Sequence, residues 1–453
     1  MPGNTVIVGD IVTQGEVLED GFVVMSEGRI AQVGSGTPPS AGTQVDARGK
    51  WVLPGVIDGQ THTGSQANRE GLGMGTRAAA AGGVTTIVDM PYDDPQPVVN
   101  VELFLEKVAA VRKEAHVDVA LYATIAKENG VAELPAMIEA GACAVKLSTY
   151  ESHPSRFPRI AATDMYETMK VLARSGLSCG IHNESQEIVD TLSARLKAAG
   201  RTDADAHGES RPPLAELLAI AEVYEIGAAA GCRIHIVHCS VDRGYTLCQS
   251  YKAQGVKASI ETCMHYLVFD DSELRRQGAF AKVNPPLRDA SQVEALWKRI
   301  ALGHVDFVSS DHVAWSEDRK VNPDIFRNSS GMPGLEVLLP AFYTESQKRG
   351  LPIHAVPKLL SEGPARHFNL HPRKGGIFVG ADADIAVLER GSFKYDPTGA
   401  QSAAKWSVYK GRTFAGRVSA TFVRGQLAWD GVNVVNSPGD GVFVPALRNA
   451  DAA

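Results

Sequence analysis

Arg233-Ile234-His235-Ile236-Val237-His238 is the stretch on which the reading of this chain turns. It is short, rich in apolar side chains and closed by a polar group, the form of a buried strand rather than of a helix. Upstream, Leu177-Ser178-Cys179-Gly180-Ile181-His182 repeats that form. A helix-length segment separates the two, and in it Leu214, Leu217, Leu218 and Ala221 fall at i, i+3, i+4 and i+7, which predicts one shared buried face. Outward from this pair the strand-like run recurs at 56–60, 84–89, 117–123, 143–147, 256–261 and 305–310. Ser291 and Glu294 have capping-box spacing ahead of Val293, Leu296 and Ile300 in one of the intervening helices. Strand-sized runs alternating with helix-length segments imply parallel strands joined by crossover helices. Eight β/α units between Pro54 and Lys374 match a TIM (β/α)8 barrel in size. A doubly wound open sheet is the alternative, but no glycine-rich dinucleotide fingerprint follows the first run.

The flanks have a different rhythm. At the front, 5–8, 21–25 and 29–33 read as short strands between glycine-containing turns, and at the back 384–388, 406–409 and 420–423 do the same. The expected organisation is therefore a small β-sandwich domain from residues 1–53 plus 375–453, beside a barrel of residues 54–374. Composition agrees with a globular enzyme-sized chain: 44% of the 453 residues are hydrophobic and 21% charged, which excludes a disordered, collagen-like or coiled-coil protein. With 45 Lys and Arg against 52 Asp and Glu the formal charge is −7, and no basic tract argues for nucleic acid. The apolar runs are strand-sized, short of the roughly 20 residues a membrane span needs. From Met1 to Asp10 no basic segment precedes an apolar one, so a cytoplasmic location is expected. Cys143, Cys179, Cys232, Cys239, Cys248 and Cys263 form no CxxC pair and read as buried, reduced thiols.

In a TIM barrel the reacting groups come from the C-terminal ends of the strands. Here those ends carry Gln60-Thr61-His62, Lys146, His182, His238 and Asp311. Each alone has a plain explanation: a loop histidine, a lysine whose head snorkels to the rim, an aspartate forming a turn. Gln60 and His62, at i and i+2, face one side of an extended chain, whereas His235 and His238 differ by three and face opposite sides, which makes His238 the inward residue and His235 structural. Lys146 sits in Cys-Ala-Val-Lys-Leu, where a free ammonium costs several kcal/mol to desolvate. Such a lysine either snorkels or has been carbamylated by carbon dioxide, which turns it into an anion able to bridge two cations. Five strands delivering potential metal ligands to one rim is a coincidence that a metal site explains.

These pieces resemble the cyclic amidohydrolases, the group of hydantoinases and dihydropyrimidinases, allantoinases and dihydroorotases. The resemblance runs nearly end to end, through Pro54-Gly55-Val56-Ile57-Asp58, Gly75-Thr76-Arg77, Asp89-Met90-Pro91, Ala144-Val145-Lys146, His182-Asn183-Glu184, Val237-His238-Cys239-Ser240, Glu261-Thr262-Cys263, Asn284-Pro285-Pro286-Leu287-Arg288, Ser310-Asp311-His312 and Pro333-Gly334-Leu335-Glu336. It implies a barrel with a small sandwich and a divalent metal site of one or two ions, zinc or manganese. Lys146 is then the carboxylated bridge, His62, His182 and His238 ligands, and Asp311 both ligand and general base. The implied reaction opens the amide bond of a cyclic amide or ureide to a ureido or carbamoyl acid. By the same resemblance Asn284, Asn328 and Tyr150 hold the ring, and the protein associates with itself as a dimer or tetramer.

One departure matters. The family's first strand usually ends in His-x-His, and Gln60 stands at the first of those positions; an amide oxygen is a weaker partner for zinc than imidazole. Gln60 therefore ligates through oxygen, or a single ion works on His182 and His238, or catalysis is lost and the chain is a scaffold homologue. For substrate, an allantoin- or hydantoin-like ring is expected, with a different cyclic amide or imide as the alternative. Dihydroorotases place an arginine after His-x-His, where Thr63 and Gly64 stand here. Deaminases of the wider superfamily normally lack the bridging lysine.

Overall fold

The computed structural model describes residues 3–66 and 68–447. Met1 and Pro2 of the leader reading, Ala67 and the last six residues of the expected small domain lie outside the described residues.

In chain order, β1 (Thr5–Val12), β2 (Val17–Ser26), β3 (Arg29–Gly34) and β4 (Thr43–Pro54) precede a run of parallel strands. These are β5 (Val56–Thr61), β6 (Val84–Asp89), β7 (Asp118–Ala123), β8 (Ala144–Ser148), β9 (Ser178–His182), β10 (Arg233–Ile236), β11 (Ala258–Cys263) and β12 (Phe307–Ser309). The chain ends with β13 (Ile385–Lys394), β14 (Thr413–Val423) and β15 (Gln426–Trp429). β5 to β12 follow one another in spatial as in chain order. A bridge between Thr61 and His312, with the His62 N–H donating to the His312 carbonyl at 2.9 Å, draws the first strand against the last and closes the TIM barrel. Inward positions at every second residue, among them Ile57, Val88, Ala120, Tyr122 and Ala144, join Phe307 and Phe368 in one interior cluster. Gly59 belongs there by necessity, since a Cβ at that position would lie 2.5 Å from the Phe307 ring.

The two ends of the chain build one mixed sheet in the order β15-β14-β13-β4-β1-β2-β3, with β1 and β4 parallel. It is bent on itself: Ile7, Val23 and Met25 from the front pack in the same core as Ile385, Val387 and Phe422 from the back. The expected sandwich is thus a single folded sheet. Residues 406–409 form coil and turn instead of a strand. Their aromatic content is spent on the barrel: the Trp406 indole donates to the Trp315 carbonyl at 2.9 Å, and the Tyr409 ring meets Phe269 at 4.7 Å. Residues 437–447 leave the small sheet and run along β7, where the Val119 N–H donates to the Val442 carbonyl and the Val119 carbonyl accepts the Val444 N–H, both at 2.9 Å.

Two local expectations change. Helix Pro213–Ala230 buries Ala215, Ala219, Ile220, Val223, Tyr224 and Gly227, leaving Leu214 and Leu218 56% and 51% exposed. Small residues allow the helix backbone to approach β10 so closely that a Cβ on Gly227 would overlap Ile234, and that contact outweighs the leucine periodicity. Helix Ala290–Ala301 is capped by Asp289, whose carboxylate accepts the Ser291 and Gln292 amides at 2.9 and 3.3 Å; Glu294 instead pairs with Arg349 at 2.8 Å. All six cysteines are buried free thiols, as expected.

Candidate active site

The C-terminal ends of the barrel strands surround a cleft of about 360 Å³. Gln60, His62, Lys146, Tyr150, His182, His238, Asn284, Asp311 and Asn328 all line it, so the structure brings every expected site residue to one place.

At its floor the groups make an unusual set of contacts. Lys146 is 1% exposed, and among the described residues its ammonium has no hydrogen-bond partner. Burial pushes its pKa down to about 7, although Asp311 and Glu261 attract the cation. His182 Nε2 shares a 2.8 Å hydrogen bond with Glu184, and its Nδ1 lies 3.0 Å from His238 Nε2. Burial opposes ionisation of Glu184, but Arg211 and His182 outweigh it and hold this carboxyl down to about 2. An ionised Glu184 fixes the proton on Nε2 of His182 and leaves Nδ1 as a lone pair. Burial depresses both histidines, which keeps them neutral, and His238 Nδ1 has no partner. Asp311 receives the Gln60 amide N–H at 2.9 Å and has His62 Nε2 at 3.3 Å; the Gln60 carbonyl oxygen is buried without a partner.

The backbone aims two of these groups. His238 and Asp311 stand just beyond β10 and β12 with φ of 41° and 49°, left-handed values that non-glycine residues adopt at a cost. The turn at His238 also changes the assignment of faces. Because β10 ends at Ile236, strict alternation stops there, and His235 points inward as well, stacked on Phe307 at 4.9 Å with Nδ1 on Ser259 at 2.9 Å. It is structural, as expected, but on the inner face.

The outer residues divide. Tyr150 covers Arg211, its ring centroid 4.5 Å from the guanidinium carbon. Asn284 keeps its side-chain oxygen unpartnered at the wall. Asn328, in contrast, accepts the Asn322 amide and donates to the carbonyls of Asn322 and Asp324, so its side chain holds its own loop, and its backbone carbonyl already accepts the Lys282 ammonium. Sequence reasoning passed over Glu184 and Arg211 behind His182, Glu261 under His238, and Asp58, whose carboxylate receives the Ser310 and Gln60 amides at 3.0 and 3.2 Å. Burial raises Asp58 to about 7 and Glu261 to about 8. Glu184 lay two residues after a named histidine, and that proximity was the available signal.

The donor set fits a divalent cation. Two ligands on a tetrahedral zinc at about 2.0–2.1 Å stand roughly 3.3 Å apart, and the paired atoms of His182 with His238 and of His62 with Asp311 are 3.0 and 3.3 Å apart. Neutral imidazoles facing each other across such a gap, beside an orphaned amine and carboxamide oxygen, make chemical sense around a cation. The acidic triad Asp118, Asp382 and Asp384 elsewhere in the fold has a different explanation, because Lys374 Nζ already sits among its oxygens at 2.6 to 3.1 Å.

A parallel barrel with this cluster at its C-terminal rim is the architecture of a metal-dependent hydrolase, and the chain belongs to the amidohydrolase family, which it matches over residues 51–428. It is 38% identical to an allantoinase of Rubrobacter xylanophilus, over 97% of this chain and 98% of that protein. It is 30% identical to an L-hydantoinase of Paenarthrobacter aurescens, over 99% and 97%. Among solved structures, the L-hydantoinase (dihydropyrimidinase) from Arthrobacter aurescens superposes with a TM-score of 0.94 at 29% identity, covering 97% of this chain and 99% of that one. Among the described residues no helix is long and apolar enough to cross a membrane.

Proposed function

We propose that this chain is a metal-dependent hydrolase that opens the amide bond of an allantoin- or hydantoin-like ring to a ureido or carbamoyl acid. The observation that carries the reading is Lys146: a fully buried, unpartnered amine among three imidazoles and a carboxylate. A neutral amine attacks carbon dioxide, forming an N–C bond and releasing a proton, and the resulting carbamate replaces an uncompensated cation with an anion. His62, His182, His238, Asp311 and carbamylated Lys146 would hold one or two ions, zinc or manganese, with Gln60 as a weak oxygen ligand. A divalent ion held there supplies Lewis acidity toward water and toward the ring carbonyl.

The protein groups do the rest. Asp311, aimed by its left-handed backbone, takes a proton from the attacking water and passes it to the leaving ring nitrogen. One C–O bond forms, one C–N bond breaks, and the ring gains one water. Glu184, itself anchored by Arg211, holds His182 in the tautomer that leaves Nδ1 free. Asn284 is placed at the wall to receive or donate at the ring amide.

A second reading has one observation in its favour: Gln60 donates to Asp311 and so occupies the proposed base. In that case the chain is a catalytically impaired scaffold homologue. Metal content and turnover of a panel of allantoin, hydantoins, dihydrouracil, dihydroorotate and cyclic imides separate the two. Ring opening of one panel member, abolished by Lys146→Ala together with the bound metal, supports the hydrolase; stoichiometric metal with no turnover of any member supports the scaffold. Ammonia release in place of ring opening would count as deamination and against both.

A further inference from the structure

We propose that the preferred substrate of this cleft carries a carboxylate on its ring, received at the mouth by Arg156 and Arg319. The inference rests on the hydrolase reading for the ring end of the site and adds the class of substituent.

The cleft is lined by Arg156, Arg211, Lys282 and Arg319, with Asp311 as its carboxylate. Two of these cations are already satisfied: Arg211 is paired with Glu184, and the Lys282 ammonium donates to the carbonyls of Ile325 and Asn328 at 2.9 and 2.5 Å. Arg156 and Arg319 are different. Arg156 donates from Nη1 to the Ser65 carbonyl at 3.1 Å, and Arg319 from Nε to the Ser329 hydroxyl at 2.9 Å. Both acceptors are neutral, and among the described residues neither guanidinium has a carboxylate within ion-pairing distance; Asp93 and Asp94 act on Arg156 only from farther away. A guanidinium carries five N–H donors, so most of those on each side chain remain available.

Both groups lie against the same indole, with guanidinium carbons 5.9 and 4.4 Å from the Trp315 ring centroid. Two like charges gathered on one ring repel, and Arg319 acts unfavourably on the charge of Arg156. A carboxylate between them turns that repulsion into two charge-assisted contacts, and the planar fork of arginine matches its two oxygens. Phe157 and Phe326 also line the cleft, which supplies apolar wall for a ring lying between the charged mouth and the histidines.

The test uses the full metal-replete protein and two probes without a scissile C–N bond: a cyclopentanone bearing a propionate arm, and the same ring bearing a propionamide arm. Calorimetric titration should show the carboxylate binding at least tenfold tighter. Arg156→Gln and Arg319→Gln should each remove most of that preference while changing propionamide binding less than twofold, and Arg319→Lys should restore part of it. Equal affinities, equal losses for both probes, or failure of the carboxylate probe to bind would overturn the proposal. Turnover of the corresponding hydantoins is read separately: no ring opening with the preference intact sinks the hydrolase reading alone, and ring opening with no preference sinks this one alone.

Discussion

Position 60 sets the electronic character of the floor. An amide offers a metal one neutral oxygen, whereas imidazole offers a stronger nitrogen, so Gln60→His is expected to tighten binding of the more weakly held ion by at least tenfold, read as residual metal after dialysis against a graded chelator. No change in the retained metal would show that the position takes no part in coordination. Lys146 makes a prediction about stability. In protein free of metal and carbon dioxide, burial holds this amine near 7 in the folded state, against 10.5 when unfolded. Below about pH 7 both states are protonated and the full burial cost is present. Between there and 10.5 only the unfolded state binds the proton, so stability rises with pH. Lys146→Met should therefore stabilise the stripped protein by a few kcal/mol at pH 7, with the gain shrinking towards pH 10; a gain that grows with pH would contradict this. The residues that meet at the rim were readable in the sequence because the end of an apolar run is a local property. Arg156 and Arg319 were not, since nothing local says that two loops more than 150 residues apart in the chain meet on Trp315. His235 was misplaced because alternation carries no record of a left-handed turn.

Between elements, the join most exposed to test is the one made by Glu70, the residue before helix Gly71–Ala81. Its carboxylate holds His312 Nε2 at 2.7 Å on one oxygen, and on the other accepts the Ser402 hydroxyl at 2.9 Å and the Ala403 amide at 3.0 Å. One side chain thus ties the first barrel helix, the segment that follows β12 and the β13–β14 connection together beside Asp311. Burial works against a charged His312, but Glu70 outweighs it and raises this imidazole above its usual value. The contribution is fully present below the unfolded value of about 6.5 and is lost as pH rises through the raised folded one. Glu70→Gln should then cost about 3 kcal/mol at pH 6 and less at pH 9, measured by urea unfolding; a cost independent of pH would mean that the histidine is neutral throughout. The repeated β/α rhythm was legible at this scale because each buried parallel strand is apolar on both faces. The buried face of helix Pro213–Ala230 was not, because packing followed Ala and Gly rather than Leu. The strand expected at 406–409 is coil and turn, since aromatic residues next to a barrel wall satisfy themselves on that wall, and the strand expected at 420–423 begins earlier, at Thr413.

For the molecule as a whole, the question is what fastens a sheet made from both chain ends to the floor of a closed barrel. Lys374 supplies much of the answer. Fully buried, its ammonium contacts Asp118 at 2.7 Å, Asp382 at 3.1 Å and Asp384 at 2.6 Å, and so joins the start of β7 to the segment entering β13. Arg424 pairs with Asp118 from the end of β14, and Arg373 with Asp382 at 3.0 Å. A buried ion cluster of this kind adds little over a well-packed apolar one, but removing one partner leaves charges stranded out of water. Lys374→Met should lower stability by about 3–5 kcal/mol, and the damage should be local to the junction. Limited proteolysis is expected to cut within 375–436 first, while the binding of added divalent metal is unchanged, because the cleft stands at the opposite end of the strands. Asp118 and Asp382 keep Arg424 and Arg373, whereas the ion pair of Asp384 is with Lys374, so adding Asp384→Asn to Lys374→Met removes the stranded charge, and the double variant ought to be more stable than the lysine variant alone. If the two losses simply add, the lysine acts through packing and the electrostatic account of the junction fails.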